Sequence, residues 1–176
     1  MKKIILLIVL VVAPLVSKAQ SVFDKFEDMD DVTTVVVNKR MFELFVHIDS
    51  DDPDAKRLMD MVKSLQGLKL FTTENEKIAK DMSATVSKYI KTGKLEELMR
   101  VKDKDANIKF YIKEGKDKDH VKELLMYIEG ISDVHIKGRE VESVLLSIVG
   151  DIDLNQIGEL TKAMNLPSEL NNVQNK

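Results

Sequence analysis

The chain has 176 residues, no cysteine and no tryptophan, and 27 Lys and Arg against 30 Asp and Glu, a formal net charge of −3 at pH 7. The absence of cysteine excludes disulfides, thiolate nucleophiles and Cys-ligated zinc or iron–sulfur centres. An acidic chain with no basic stripe interleaved with aromatic residues repels phosphate backbones, which argues against nucleic acid as a partner.

The first twenty residues have the layout of a secretory signal peptide. Two lysines precede an apolar run over residues 4–13, and small residues follow at Ser17 and Ala19, as a leader requires. The run is about half of the roughly 20 residues that span a bilayer, so we expect no transmembrane segment in the mature chain. We predict residues 1–19 as a signal peptide cleaved after Ala19, giving a periplasmic or secreted product. Gln20 follows the cleavage point, where a bacterial lipid anchor needs cysteine.

Removal of the leader leaves 24 basic against 30 acidic residues, a net charge of −6. We predict three regions in the mature chain. Residues 20–31 form an acidic N-terminal arm, either a short docking helix or a mobile segment, and residues 32–166 form a single α+β domain. Residues 167–176 are an amide-rich tail that we expect to be disordered.

The first half of the domain alternates strands and helices. The run Val32–Val37 is β-branched and barely alternates, which predicts a strand buried on both sides. Next in the chain we predict a helix over 39–47, capped by Asn38, and a second helix that begins at Pro53 and ends at Gly67. A strand over 68–72 follows. The third helix begins with a capping box formed by Thr73 and Glu76 and ends at Gly93.

The second half changes to a period of two, which indicates strands. The predicted strands are 98–101, 108–112 with one face in water, 124–128, a short segment at 134–136 and 142–149, followed by a helix that Asp153 and Gln156 cap and Pro167 ends. The fold class is therefore α+β, an antiparallel sheet of about five to six strands with helices packed on at least one face.

The acidic loop Asp49–Asp54 is the best candidate for a cation site, because a calcium loop presents oxygen ligands at alternate positions. Pro53 falls at the fifth position, however, and Asp54 replaces the glycine at the sixth, so a helix cap explains the loop better. Asp151–Asn155 lacks the glycine and the terminal acid as well, and capping also explains it better.

Catalytic motifs are missing from the sequence. The three histidines, His47, His120 and His135, have no HExxH or HxH spacing, and the seven glycines form neither a P-loop nor a dinucleotide fingerprint. We expect His120 to be exposed in a charged loop and the other two to be partly buried. We therefore predict no catalytic, cofactor-binding or metal-binding residue and no cofactor.

Several segments together resemble a family of small exported Bacteroidetes proteins known only as a domain of unknown function. These segments are Phe23–Phe26, Val37–Met41, Leu65–Leu68, the stretch from Glu96 to Ile112 and Gly150–Leu154. The resemblance covers the mature chain and implies an envelope location and a single domain, with no activity or site residues to carry over.

The preferred function is a non-enzymatic binding or regulatory module of the envelope whose partner is another envelope protein. If the sheet has an uncovered face, Leu125, Tyr127 and Leu145 would mark the interface. The alternatives are a hydrolase of unrecognised type, in which one His meets two carboxylates of perturbed pKa, and a carrier of a small apolar ligand. The sequence leaves the oligomeric state open.

Overall fold

The structure is a computed structural model that describes residues 22–45, 53–102, 107–130, 135–136 and 139–156. The helices are α1 (Lys39–Phe45), α2 (Pro53–Ser64) and α3 (Glu76–Gly93), with short 3-10 turns at Asp24–Phe26 and Leu154–Gln156. The strands are β1 (Val32–Asn38), β2 (Leu65–Thr73), β3 (Glu96–Lys102), β4 (Asn107–Glu114), β5 (His120–Glu129), β6 (His135–Ile136), β7 (Arg139–Glu140) and β8 (Ser143–Asp153).

Six strands form one sheet in the order β1-β2-β8-β5-β4-β3, and every neighbouring pair is antiparallel. Strands β6 and β7 form a separate two-stranded ribbon. The α+β class and the expected number of strands are therefore confirmed. Among the described residues the last strand in sequence is β8, which lies in the middle of the sheet between β2 and β5. It therefore joins the two parts of the sheet that precede it in the chain.

The prediction that Val32–Val37 is buried on both sides is wrong. In the sheet, β1 is an edge strand, and Val35 and Val36 are exposed. The reason is that β-branched residues favour any strand, whereas the position of a strand in the sheet depends on which distant segments pair with it.

The α2–β2 junction also differs from the prediction, because α2 ends at Ser64 and Gly67 already belongs to β2. The Ser64 hydroxyl donates to the Met61 carbonyl at 2.6 Å, inside the last turn of the helix. Pairing with β8 then extends the strand back to Leu65, which lies opposite Gly150. A Cβ on Gly150 would lie 2.5 Å from the Ser64 carbonyl oxygen, so a glycine is required where the junction crosses β8.

Helix α3 begins with a different cap from the predicted one. Asn75 is the N-cap, and its side chain accepts from the amides of Lys77 and Ile78 at 3.0 and 3.3 Å. Thr73 is buried at the end of β2, where its hydroxyl donates to the Asp31 carbonyl at 2.8 Å. Sheet pairing therefore holds Thr73 in a strand, and the next residue able to cap the helix takes its place.

Buried residues form one cluster on each face of the sheet. The first, which we call the α3-face cluster, combines Phe71, Leu125, Tyr127 and Leu145 of the strands with Met82, Val86 and Tyr89 of α3. Tyr111 also belongs to it, so the face of β4 that was expected to be in water is partly covered. The second, the opposite-face cluster, contains Phe42 of α1 together with Phe110, Leu124, Met126, Val144, Leu146 and Ile148 of the strands.

The start of the acidic arm is docked on the sheet, which decides between the two alternatives for this segment. Phe23 and Phe26 are fully buried in the α3-face cluster, and the Phe23 ring meets the Tyr89 ring edge-on with centroids 5.1 Å apart. Lys69 of β2 donates to Asp24 Oδ1 at 2.5 Å and to Glu27 Oε1 at 2.6 Å. Apolar burial and two ion pairs therefore hold the segment against the sheet.

Some predictions fall outside the described residues. These are the signal peptide, His47, the acidic loop as far as Asp52, and the C-terminal helix beyond Gln156 with the tail. Two predicted helix starts are confirmed within the described residues. At the start of α1, Asn38 Oδ1 accepts from the Met41 amide at 3.2 Å, and α2 begins at Pro53.

Candidate functional site

The three side chains expected to mark an interface are in the core. Leu125 and Leu145 are fully buried and Tyr127 is nearly so, all within the α3-face cluster. Residues of α3 and of the docked N-terminal segment share that cluster. The hypothesis that these residues form a binding face is therefore wrong, and any binding surface must lie elsewhere.

Exposed apolar side chains gather instead around the β1 edge. Among the described residues, six large apolar side chains are exposed, and four of them lie between positions 35 and 44. These four residues define what we call the β1–α1 surface: Val35 (44% exposed), Val36 (50%), Met41 (46%) and Leu44 (67%). Such a concentration in a charge-rich chain is typical of an interaction site.

The fold explains why these side chains face outwards. Val35 lies opposite Leu70 of β2 and Val36 lies opposite Lys69, so the two valines project to different faces of the sheet at its margin. Helix α1 follows β1 directly and packs against β1 and β2. Because α1 buries Phe42 in the opposite-face cluster, Met41 and Leu44 are left on its outer side. They are three residues apart and therefore neighbours on the helix.

The two edge strands of the sheet differ in how well they are protected against pairing with a strand from another chain. Edge strand β3 carries four charged side chains within Glu96–Lys102, a common defence against unwanted strand pairing. Edge strand β1 has the sequence VTTVVVN over seven residues, with no charge and no proline. In the part of the chain that the structure describes, β1 pairs only with β2. One side of its backbone is therefore available for pairing with a further strand.

A second feature lies beneath α3, where a carboxyl group is buried. Glu123 of β5 is 1% exposed, and the Tyr89 hydroxyl donates to its Oε2 at 2.6 Å. Its other oxygen, Oε1, and the hydroxyl of fully buried Ser147 on β8 have no hydrogen-bond partner. Ser147 is nonetheless near enough to lower the pKa of Glu123 slightly.

Burial determines the ionisation of this cluster. Loss of hydration raises the pKa of Glu123, and the Tyr89 hydrogen bond, Lys113 and Ser147 offset this only in part. Loss of hydration also raises the pKa of Tyr89, with a further contribution from its bond to Glu123. A carboxyl group with a raised pKa can act as an acid. At 1% exposure, however, Glu123 meets no substrate in this conformation, so the cluster connects α3 to the sheet.

The His120 side chain contacts a carboxylate of the turn that precedes it. His120 begins β5, and its Nδ1 lies 2.7 Å from Asp117 Oδ1. The side chain is 24% exposed, less than expected for a charged loop, because the turn folds Asp117 back onto the ring. The hydrogen bond to His120 lowers the pKa of Asp117. The hydrolase alternative requires a histidine to meet two carboxylates, and this pair supplies one.

The remaining sequence candidates do not converge on a metal centre. No group of three or more His, Asp or Glu within the described ranges could hold a metal ion. In the 151–155 segment, Asp153 Oδ1 accepts from the Asn155 amide at 2.9 Å, as in a cap. Asp151 receives a 2.6 Å hydrogen bond from Lys116. Among the helices described, none is long and apolar enough to cross a bilayer.

The sequence did contain a signal for the buried cluster. In β5, one set of alternate apolar residues starts at Leu124 and a second set starts at Leu125. The two sets lie on opposite faces of the strand, so the pattern indicates a strand buried on both faces. By the same alternation Glu123 falls on the face of Leu125, and in β8 Ser147 falls on the face of Leu145. Each polar residue continues an apolar series into the core.

Comparison with known proteins gives one match. The model of the family described as Domain of unknown function (DUF4252) matches residues 26–160. No curated protein and no solved structure matches the chain.

Proposed function

Since the chain belongs to this family, whose description assigns no activity, we propose a function from its own sequence and surface. It is an exported envelope protein that binds a partner protein through the β1–α1 surface. The observation that supports the proposal is the concentration of exposed valine, methionine and leucine side chains at one margin of the sheet. Burial of such side chains by a partner is favourable at roughly 25 cal/mol per Å² of apolar area.

Two further observations support a binding role over catalysis. The polar group with the clearest functional character, Glu123, is sealed in the core by Tyr89 and the strands. The exposed apolar side chains of the β1–α1 surface lie around an uncharged sheet edge, and such edges bind other chains by strand addition. The protein acts in this proposal as an interaction module, and the buried cluster serves the fold.

Export is the second part of the proposal and has its support in the sequence. A cationic start, a short apolar run and small residues before Gln20 form a cleavable leader. Fractionation of the native host followed by N-terminal sequencing tests this part. We expect a product that begins at Gln20 in the envelope or medium. Full-length precursor in the cytosol as the main species would overturn it.

Photo-crosslinking in the native host tests the binding surface. A photoreactive amino acid at position 44 is expected to give a discrete cross-linked product, and Met41→Glu on the same helix side is expected to abolish it. The matched control position is Leu98, which is 46% exposed on the opposite edge strand. If positions 44 and 98 give the same products in the same yield, the β1–α1 surface is not the binding site.

A further inference from the structure

The uncharged edge strand β1 is complementary to itself. Its seven residues have Val35 at their centre. A second copy of β1 placed antiparallel, with Val35 opposite Val35, pairs every residue of the strand, from Val32 with Asn38 to Asn38 with Val32. Residue numbers in each pair sum to an even value, so paired side chains lie on the same face of the sheet. An antiparallel pairing centred on any other residue would leave part of each β1 strand unpaired.

The side chains that this register brings together suit each other. On one face, Val35 meets its own copy, and Thr33 meets Val37. On the other face, Thr34 meets Val36. These three are pairs of β-branched residues, which pack well across antiparallel strands. The remaining pair joins Val32 to Asn38. Val35 and Val36, which are half exposed in the single chain, become covered.

Charges at the two ends of β1 are complementary in the same register. The exposed residues Asp30 and Asp31 precede the strand, and the exposed residues Lys39 and Arg40 follow it. The antiparallel arrangement therefore brings Asp30 and Asp31 of one copy to the same end of the paired strands as Lys39 and Arg40, the first residues of α1, of the second copy. Two-fold symmetry repeats this arrangement at the other end. A parallel arrangement would instead bring like charges together, at a cost.

We infer that the occupant of the β1 edge is a second copy of this chain, which pairs β1 with β1 about a two-fold axis at Val35 and joins two six-stranded sheets into one. The inference rests on the proposed function, since it names the partner of the β1–α1 surface. The interface is isologous, as is usual for homodimers. It also removes both exposed β1 edges, which otherwise invite aggregation.

A single cysteine tests the register, because the natural chain has none. Directly opposite residues of antiparallel strands have Cα atoms about 4.5–5.5 Å apart, within disulfide range. In mature protein that starts at Gln20, Val35→Cys is expected to form a covalent dimer under mild oxidation. Leu98→Cys, on the other edge strand and equally exposed, is the matched control. Equal cross-linking of the two variants, or none at position 35, would overturn the inference.

Sedimentation velocity of the cysteine-free protein provides an independent measurement. The wild type is expected to be a dimer whose dissociation constant rises with salt. Asp30→Arg and Arg40→Asp should each weaken it by at least about tenfold, and the double variant should restore it. A wild type that remains a monomer at every concentration tested would overturn the inference. If position 44 still cross-links to a different protein in the host, the proposed function survives that result.

Discussion

The Tyr89 hydroxyl and the Glu123 carboxyl group, 34 residues apart in sequence, share a buried 2.6 Å hydrogen bond that connects helix α3 to strand β5. Tyr89 also packs edge-on against Phe23 of the docked N-terminal segment. The pair therefore lies where three parts of the chain meet: the N-terminal segment, the helix and the sheet.

The first prediction concerns pH. Burial raises the pKa of Glu123 above the ordinary 4.5 of the unfolded chain, so the folded state holds more protons between 4.5 and the raised value. The free energy of unfolding must then fall as pH rises through this window, by at most about 1.4 kcal/mol per pH unit. Urea unfolding at a series of pH values should show this loss in the wild type and a flatter curve in Glu123→Gln.

The control for that measurement is Glu96→Gln, at an exposed carboxylate on β3. This variant should keep the pH profile of the wild type. Parallel profiles for Glu123→Gln and the wild type would show that Glu123 is not the group responsible.

The second prediction concerns the hydrogen bond itself. Tyr89→Phe removes the donor to Glu123 Oε2 and should cost about 1–3 kcal/mol of unfolding free energy, because a buried carboxyl group loses its partner. The double variant Tyr89→Phe with Glu123→Leu should cost less than the sum of the single changes. Tyr127→Phe is the matched control, because the Tyr127 hydroxyl contacts the Ala79 carbonyl at 3.5 Å and the side chains of Ser83 and Ser143, and so has no carboxyl partner. Additive single changes would argue against coupling.

The third prediction concerns the docked N-terminal segment. Phe26→Ala should lower the unfolding free energy by about 3–5 kcal/mol, as expected for a large side chain lost from a packed core. Val22→Ala, at a side chain that is 36% exposed, should change it little. Thermal unfolding of the two variants decides the point. Equal, small effects would mean that the segment contributes nothing to the core.

The fourth prediction concerns the end of α3. Lys94 adopts the left-handed conformation with φ 54°, which is unfavourable for a side chain other than glycine. Lys94→Gly should therefore stabilise the protein by about 0.5–1 kcal/mol, after subtraction of the opposing effect of glycine's greater conformational entropy in the unfolded chain. Lys91→Gly, inside the last helical turn, should destabilise it by about 1 kcal/mol. Destabilisation by both changes would contradict the assignment of strain to position 94.

Local sequence preferences predicted where helices begin better than they predicted where strands and helices end. The Asn38 cap and the start of α2 at Pro53 follow from side-chain and backbone preferences within a few residues, and both are confirmed. The ends of elements depend on distant pairing: β8 extends β2 back through Gly67, and the strand holds Thr73 away from the capping role.

Exposure was harder to predict, for the same reason. The sequence of β1 suits a central strand as well as an edge, and only the strand order leaves Val35 and Val36 exposed. Leu125 and Tyr127 were assigned to a surface that α3 covers. The candidate site was therefore not identified from the sequence, whereas the alternation in β5 could have placed Glu123 in the core.

The central position of β8 has a consequence for how the protein is made. Strands β1 and β2 and strands β3 to β5 can each pair as they emerge from the ribosome, but β2 and β5 have no common neighbour until residues 143–153 are synthesised. Pairing over such long sequence separations is slow. We therefore expect the nascent polypeptide to stay open until β8 has been synthesised, a state that a chain terminated before residue 143 would never leave.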